Sequence, residues 1–140
     1  MINTIIMAAI AVCVISILFL ACKWHRRPRP LAIEHFQGEW QTMQKLCAHK
    51  ETWPQAIIDA DKILDEALRR RRFPGKSMGE RLTKAQRDFT NNESVWFGHK
   101  LRNKVEAETE PKLKEKEVKR ALIGIRQALK DLGAFSSDDN

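Results

Sequence analysis

Four histidines, His25, His35, His49 and His99, are the side chains best suited to proton transfer or metal ligation near neutral pH. Their spacing matches no zinc-ligand pattern. His35 and Glu39 stand four residues apart and so share one helix face, but two ligands do not make a zinc site, which needs three or four. Neither a metal nor a cofactor is expected. Ser77 and Ser94 lie in no nucleophile context, and no glycine-rich phosphate loop occurs. Cys13 and Cys22 fall in an apolar stretch and Cys47 continues an apolar stripe, so the three cysteines give no disulfide framework and fit a reducing location.

Charge placed on an apolar face is the more informative signal. Asp61 falls between Ile57, Leu64 and Leu68 on a helical wheel, and a buried carboxylate is costly unless paired. Arg102 and His99 are the candidate partners; the alternative is a solvated Asp61 at the edge of the face. Asp65 and Arg69, four residues apart, read as a surface ion pair. A basic patch gathers around one turn: Arg69, Arg70, Arg71, Arg72 and Lys76, with Arg81, Lys84 and Arg87 beyond it. Such a patch can hold phosphates of RNA or of an anionic membrane, or stand as a solvated helix end. It lacks the interleaved aromatics on which single-stranded bases stack.

The elements that position these residues read as helices. Ile33, Phe36, Trp40, Met43 and Cys47 recur at spacings of three and four, the period of one buried helical face. Thr52-Trp53-Pro54-Gln55 has the form of a capping box opening a second helix, with Ile57, Ala60, Leu64, Ala67 and Leu68 inward and a stop at Phe73-Pro74-Gly75. Ser77-Met78-Gly79-Glu80 opens a third, with Met78, Leu82, Ala85 and Phe89 inward, broken at Asn91-Asn92. A fourth is expected from about Glu93 to Glu108, with Leu101 and Val105 as its stripe. After Pro111 a last helix carries Val118, Ala121, Leu122, Ile125, Leu129 and Leu132 before Gly133. No segment alternates with period two. The fold class is therefore all-α: a four- to five-helix bundle over residues 31–135, with a polar tail at 136–140.

Ahead of the bundle, residues 1–22 contain no charged side chain, and all 25 basic and 18 acidic residues follow them. Some twenty apolar residues in a helix span about 30 Å, the thickness of a hydrocarbon core. The flank Lys23-Trp24-His25-Arg26-Arg27-Pro28-Arg29-Pro30 puts basic residues and an interfacial tryptophan against the apolar end. Residues 23–30 read as a basic, proline-containing linker in which Lys23, Trp24, Arg26, Arg27 and Arg29 meet the membrane interface. The charge order implies a single-pass helix with the N-terminus outside and the bundle in the cytoplasm, at the plasma membrane. Two other readings are a lipoprotein signal ending at Ala21-Cys22, which the basic run opposes, and a buried core helix. A cleaved signal peptide would carry its positive charge first.

The run Trp96-Phe97-Gly98-His99-Lys100-Leu101-Arg102-Asn103-Lys104-Val105 resembles the motif helix of HEPN-type domains, small helical bundles that are often dimeric and in many cases metal-independent ribonucleases. The resemblance extends to Ala60–Asp65 and Glu117–Leu122, covers about residues 50–133, and is shared with single-pass membrane proteins of candidate-phylum bacteria. It implies a site at Arg102 and Asn103 followed by a histidine. Here the region reads Glu106-Ala107-Glu108-Thr109-Glu110, so the general acid–base of that family is missing and three glutamates oppose a phosphodiester. His99 precedes Arg102 by one turn, the wrong side for that site. The expectation is a catalytically silent bundle with a structural Arg102, partnered by the bilayer and by protein, a homodimer included, with nucleic acid not favoured. The alternatives are a membrane-tethered RNA-binding protein or ribonuclease, and a small envelope assembly subunit whose spanning helix holds the partner.

Overall fold

In the computed structural model, which describes residues 1–25 and 28–136, six α-helices follow one another and no strand occurs among the described residues. Helix α1 (Ile2–His25) is followed by α2 (Ile33–Lys45), two 3-10 turns at Leu46–Ala48 and Lys50–Thr52, α3 (Trp53–Arg70), α4 (Met78–Ala85), α5 (Asn92–Ala107) and α6 (Glu115–Asp131). Helices α2 to α6 form the bundle. The side chains of residues 23–25, and residues 26, 27 and 137–140 altogether, lie outside the described part. The interface roles expected of Lys23, Trp24, Arg26 and Arg27, and most of the polar tail, fall there.

Helix α1 continues three residues past the expected end at Cys22, so the linker is shorter than the sequence suggests. Within it, Ile2–Cys22 is a run of 21 residues long and apolar enough to cross a membrane, and none of that run is buried.

Helix α3 is the hub of the bundle, touching α2, α4, α5 and α6, while α5 and α6 make the most extensive helix pair. Its inward face follows the apolar stripe: Ala56, Ile57, Ala60, Ile63, Leu64, Ala67 and Leu68 are all buried. Full burial of each large aliphatic side chain contributes roughly 1.5–3 kcal/mol. One core cluster joins all of these except Ile57 to Phe36, Trp40 and Met43 of α2 and to Leu129 of α6; a smaller one joins Ile57 to Leu101, Val105, Leu113 and Val118. Ile33, expected inward, is 39% exposed, because it opens α2 before the first core-facing turn. Cys47 sits half-buried in a 3-10 turn, where partial burial pushes its thiol pKa up.

The helix ends show which local signals the chain uses. Ser77 Oγ accepts from the Glu80 backbone N–H at 3.2 Å, and the Glu80 carboxylate accepts from the N–H of Lys76, one residue earlier than a capping box requires. Thr52 makes no cap. Its hydroxyl donates to the Leu46 carbonyl at 2.5 Å, tying the 3-10 turns together. Asn91 does more than break a helix, since its side chain caps α5 by accepting from Ser94 N–H at 3.0 Å. Phe89 is buried but lies beyond the end of α4.

Helix α6 stops as its glycine suggests: Gly133 takes φ +80°, its N–H reaches Lys130 O, and Ala134 N–H reaches Leu129 O. Helix α3 ends with the same paired bonds, Arg72 N–H to Arg69 O and Phe73 N–H to Leu68 O, but the left-handed residue is Arg72 at φ +64°. A side chain there strains the backbone by about 1 kcal/mol relative to glycine.

Two glycines set the α5–α6 crossing. A Cβ on Gly124 would stand 2.5 Å from the Ser94 carbonyl oxygen, and one on Gly98 would stand 2.9 Å from Ile125 Cγ1. At Gly124 backbone therefore packs on backbone.

Two predictions follow from these positions, both read by chemical denaturation of the full chain in detergent. Gly124→Ala should destabilise by about 3 kcal/mol through overpacking against a backbone that cannot rotate away, whereas Gly38→Ala, with open space around it, should stabilise by about 0.5–1 kcal/mol. At the end of α3, Arg72→Gly should be about 1 kcal/mol more stable than Arg72→Ala; both variants lose the side chain's contacts, so their difference isolates the backbone.

Candidate functional site

Between α3, α4 and α5 a cleft of about 280 Å³ is lined by Asp61, Lys62, Asp65, Glu66, Arg69, Met78 and Arg102. Residues 61, 65 and 66 share a face of α3 through the helical period, and Arg102 comes from α5, one turn after His99. The α5–α6 crossing holds α5 in place, so both of its polar residues reach α3 at the same level.

Asp61 is 2% exposed. Both of its carboxylate oxygens lie 3.2 Å from His99 Nδ1, and Arg102 Nε is 3.6 Å from Oδ2. The first contact is a hydrogen bond, which Nδ1–H donates. The second is close enough for charge attraction but too long for a hydrogen bond, and Arg102 Nε has no acceptor. Both residues named from the sequence as partners of Asp61 thus approach it, His99 more closely. Arg102 also reaches Glu106 at 3.1 Å, and its Nη1 donates to Asn103 Oδ1 at 3.0 Å. Asn103 itself is exposed.

One turn along, Asp65 accepts from Arg81: Nε donates to Oδ1 at 2.7 Å and Nη2 lies 2.6 Å away, while Arg69 holds Oδ2 at 2.7 Å. Arg81 also donates to Gly75 O at 2.7 Å and is only 5% exposed. The Asp65–Arg69 pair read from the sequence is present, with the Arg69 side chain 65% exposed, and it forms one arm of an α3–α4 junction; the correction is Arg81, which leaves the basic patch for the interior. Nothing in the spacing of Arg81 distinguishes it from Lys84 or Arg87 before the fold is known. Glu66 closes the row, 2.6 Å from Arg70 and 3.0 Å from His35 Nε2. His35 therefore serves an α2–α3 contact rather than pairing with Glu39.

Chemically, the arrangement is self-matched. Each cleft carboxylate faces two cationic or hydrogen-bond-donating partners of this chain. His99 is 8% exposed and packs edge-on against Trp96, with ring centroids 5.9 Å apart, so its imidazole is closed off from a reacting group. Among the described residues no group of three or more His, Cys, Asp or Glu side chains could hold a metal ion.

The basic patch divides by pairing. Arg69, Arg70 and Arg81 are neutralised by Asp65 and Glu66. Arg71, Lys76, Lys84 and Arg87 have no carboxylate within ion-pair distance among the described residues; Arg71 Nη1 donates to the backbone oxygen of Arg29 at 3.4 Å. Arg70 also lies over the Phe36 ring, 5.5 Å from its centroid.

Comparison with family models, curated proteins and solved structures finds no match to this chain.

Because Asp61 is the least exposed member of its cluster, Asp61→Asn should destabilise by about 2 kcal/mol, through loss of the charge-assisted hydrogen bond with His99, while Arg102 keeps Glu106 as its counter-charge. Arg102→Ala should cost less than half of that, since its side chain is 27% exposed and water takes over part of its role. Denaturation of both variants tests the order; equal effects would remove the buried network as a stabilising element.

Proposed function

We propose that this chain is a single-pass membrane protein whose helical bundle lies on the cytoplasmic side and associates with other protein chains, a second copy included, without catalysing a reaction. The observation that carries the anchor is the fully exposed 21-residue apolar run of α1. In water such a helix would leave every apolar side chain hydrated; in a bilayer it satisfies its backbone internally and buries its surface in lipid. The cations that follow it, from Lys23 to Arg29, support the cytoplasmic placement of the bundle by the positive-inside rule. A signal peptide has the opposite charge order.

The self-matched cleft supports the non-enzymatic reading. The family that the α5 sequence resembles would use arginine and histidine on a phosphodiester. Here Arg102 is engaged by Asp61 and Glu106, and His99 is sealed under Trp96. A second reading, RNA binding or cleavage, is favoured by one observation, the unpaired cations Arg71, Lys76, Lys84 and Arg87.

Expression of the full chain, alkaline carbonate extraction of the membranes and protease treatment of sealed vesicles together test the topology. The expected result is retention in the pellet with the bundle accessible only from the cytoplasmic face; release into the supernatant would remove the anchor. The same preparation incubated with labelled RNA should give no cleavage. Cleavage abolished by Arg102→Ala would bring the ribonuclease reading forward.

A further inference from the structure

A groove larger than the carboxylate cleft lies apart from it. It is lined by Pro28, Arg71, Arg72, Phe73, Pro74, Lys84 and Asp88, and encloses about 940 Å³. We propose that this groove seats the headgroups of anionic phospholipids in the same bilayer that α1 spans, so that the bundle is held against the membrane by its own surface as well as by its tether. This rests on the anchor reading above.

Chain connectivity makes the first argument. The apolar run ends at Cys22 and α1 at His25; three more helical residues rise about 4.5 Å. Pro28, one wall of the groove, follows His25 by three residues, a reach of at most about 10 Å. The groove wall is thus within about 15 Å of the hydrocarbon edge, while the headgroup layer itself is some 5–8 Å deep. The tether is therefore short enough for the groove to meet the phosphates when the bundle turns that face to the bilayer.

Charge makes the second. Three cations and one carboxylate line the groove, and Arg71 and Lys84 have no ion-pair partner among the described residues. Arg71 is oriented by the Arg29 backbone oxygen, a neutral acceptor that fixes the guanidinium without cancelling its charge. By contrast, the two arginines immediately before it, Arg69 and Arg70, are paired with carboxylates. Uncompensated cations therefore collect on the side of α3 and α4 that the linker reaches, and the matched ones lie on the cleft. A phosphodiester headgroup supplies the missing anion, and Phe73 and Pro74 offer an apolar rim for the glycerol backbone.

The test uses the full chain in nanodiscs of pure phosphatidylcholine and of phosphatidylcholine with phosphatidylglycerol, read by amide hydrogen exchange. Anionic lipid should slow exchange over residues 71–76 and 84–88 by about fivefold or more, the worth of one headgroup-contacting cation, and 0.5 M salt should abolish the difference. Lys84→Glu, an exposed substitution that leaves the fold intact, should remove most of the protection, with Arg71→Glu removing the rest and Lys84→Arg retaining it. Equal exchange in the two lipid compositions, with the chain still in the disc, would overturn the groove proposal alone. Failure of the chain to enter discs would remove the anchor reading instead. Protection by single-stranded RNA in neutral discs with none from anionic lipid would overturn the headgroup assignment in favour of nucleic acid.

Discussion

The bundle depends on how closely α5 approaches α6. Gly124 lets the α6 backbone meet the Ser94 carbonyl directly, and Gly98 leaves room for the Ile125 side chain against the α5 backbone. That spacing sets the height at which α5 lies against α3, and therefore whether His99 and Arg102 can both reach Asp61. A wider crossing would lift His99 away from the carboxylate and open the core around Ile57, Leu101 and Val105. The Asp61 pairing and the apolar cluster around Ile57 thus rest on the same close contact.

The network in turn explains why so much charge can sit at a helix junction. Asp61 and Asp65 are inside because each meets donors from another helix: His99 and Arg102 from α5 for the first, Arg81 from α4 for the second. A buried pair of this kind adds little net stability beyond what apolar residues of the same size would provide, since both charges lose water. What it supplies is selectivity of packing. A rotation of α4 or α5 that apolar residues would tolerate strands a buried charge, so the arrangement with all of them matched is favoured over its neighbours.

Much of this was legible in the sequence, and the illegible part has a common cause. Periodic apolar residues located all five bundle helices, and Gly133 marked its stop, because these signals are local: a face, a cap, a left-handed residue. Asp61 stood out for the same reason, a charge on an apolar face. Arg81 did not, since it is one basic residue among many and its burial arises from Asp65, sixteen positions earlier, and from a carbonyl of the preceding loop. The cap expected of Thr52 failed because a tertiary acceptor, Leu46 O, competed for its hydroxyl. Gly98 and Gly124 carried no sequence signal at all: glycine inside a helix reads as a weakness until the second helix is in place. The division of the basic patch into matched and unmatched cations was hidden likewise, because it requires knowing where the carboxylates of α3 point.

Phe135 packs edge-on against Trp40 with ring centroids 5.8 Å apart, joining the last described turn of the chain to the first helix of the bundle. This contact spans 95 positions, while α2 has few other ties, chiefly Phe36, Met43 and the His35–Glu66 bond. Mechanically, α2 is also where the tether enters. Force transmitted from α1 through the linker meets the Arg29–Arg71 bond and Leu31 and then loads α2, where Trp40 against Phe135 is the clasp that must open for the helix to leave. A bundle built this way yields at its edge: under load it gives up one helix and exposes the Phe36 and Trp40 pockets while its centre, pinned by the glycine crossing, stays whole.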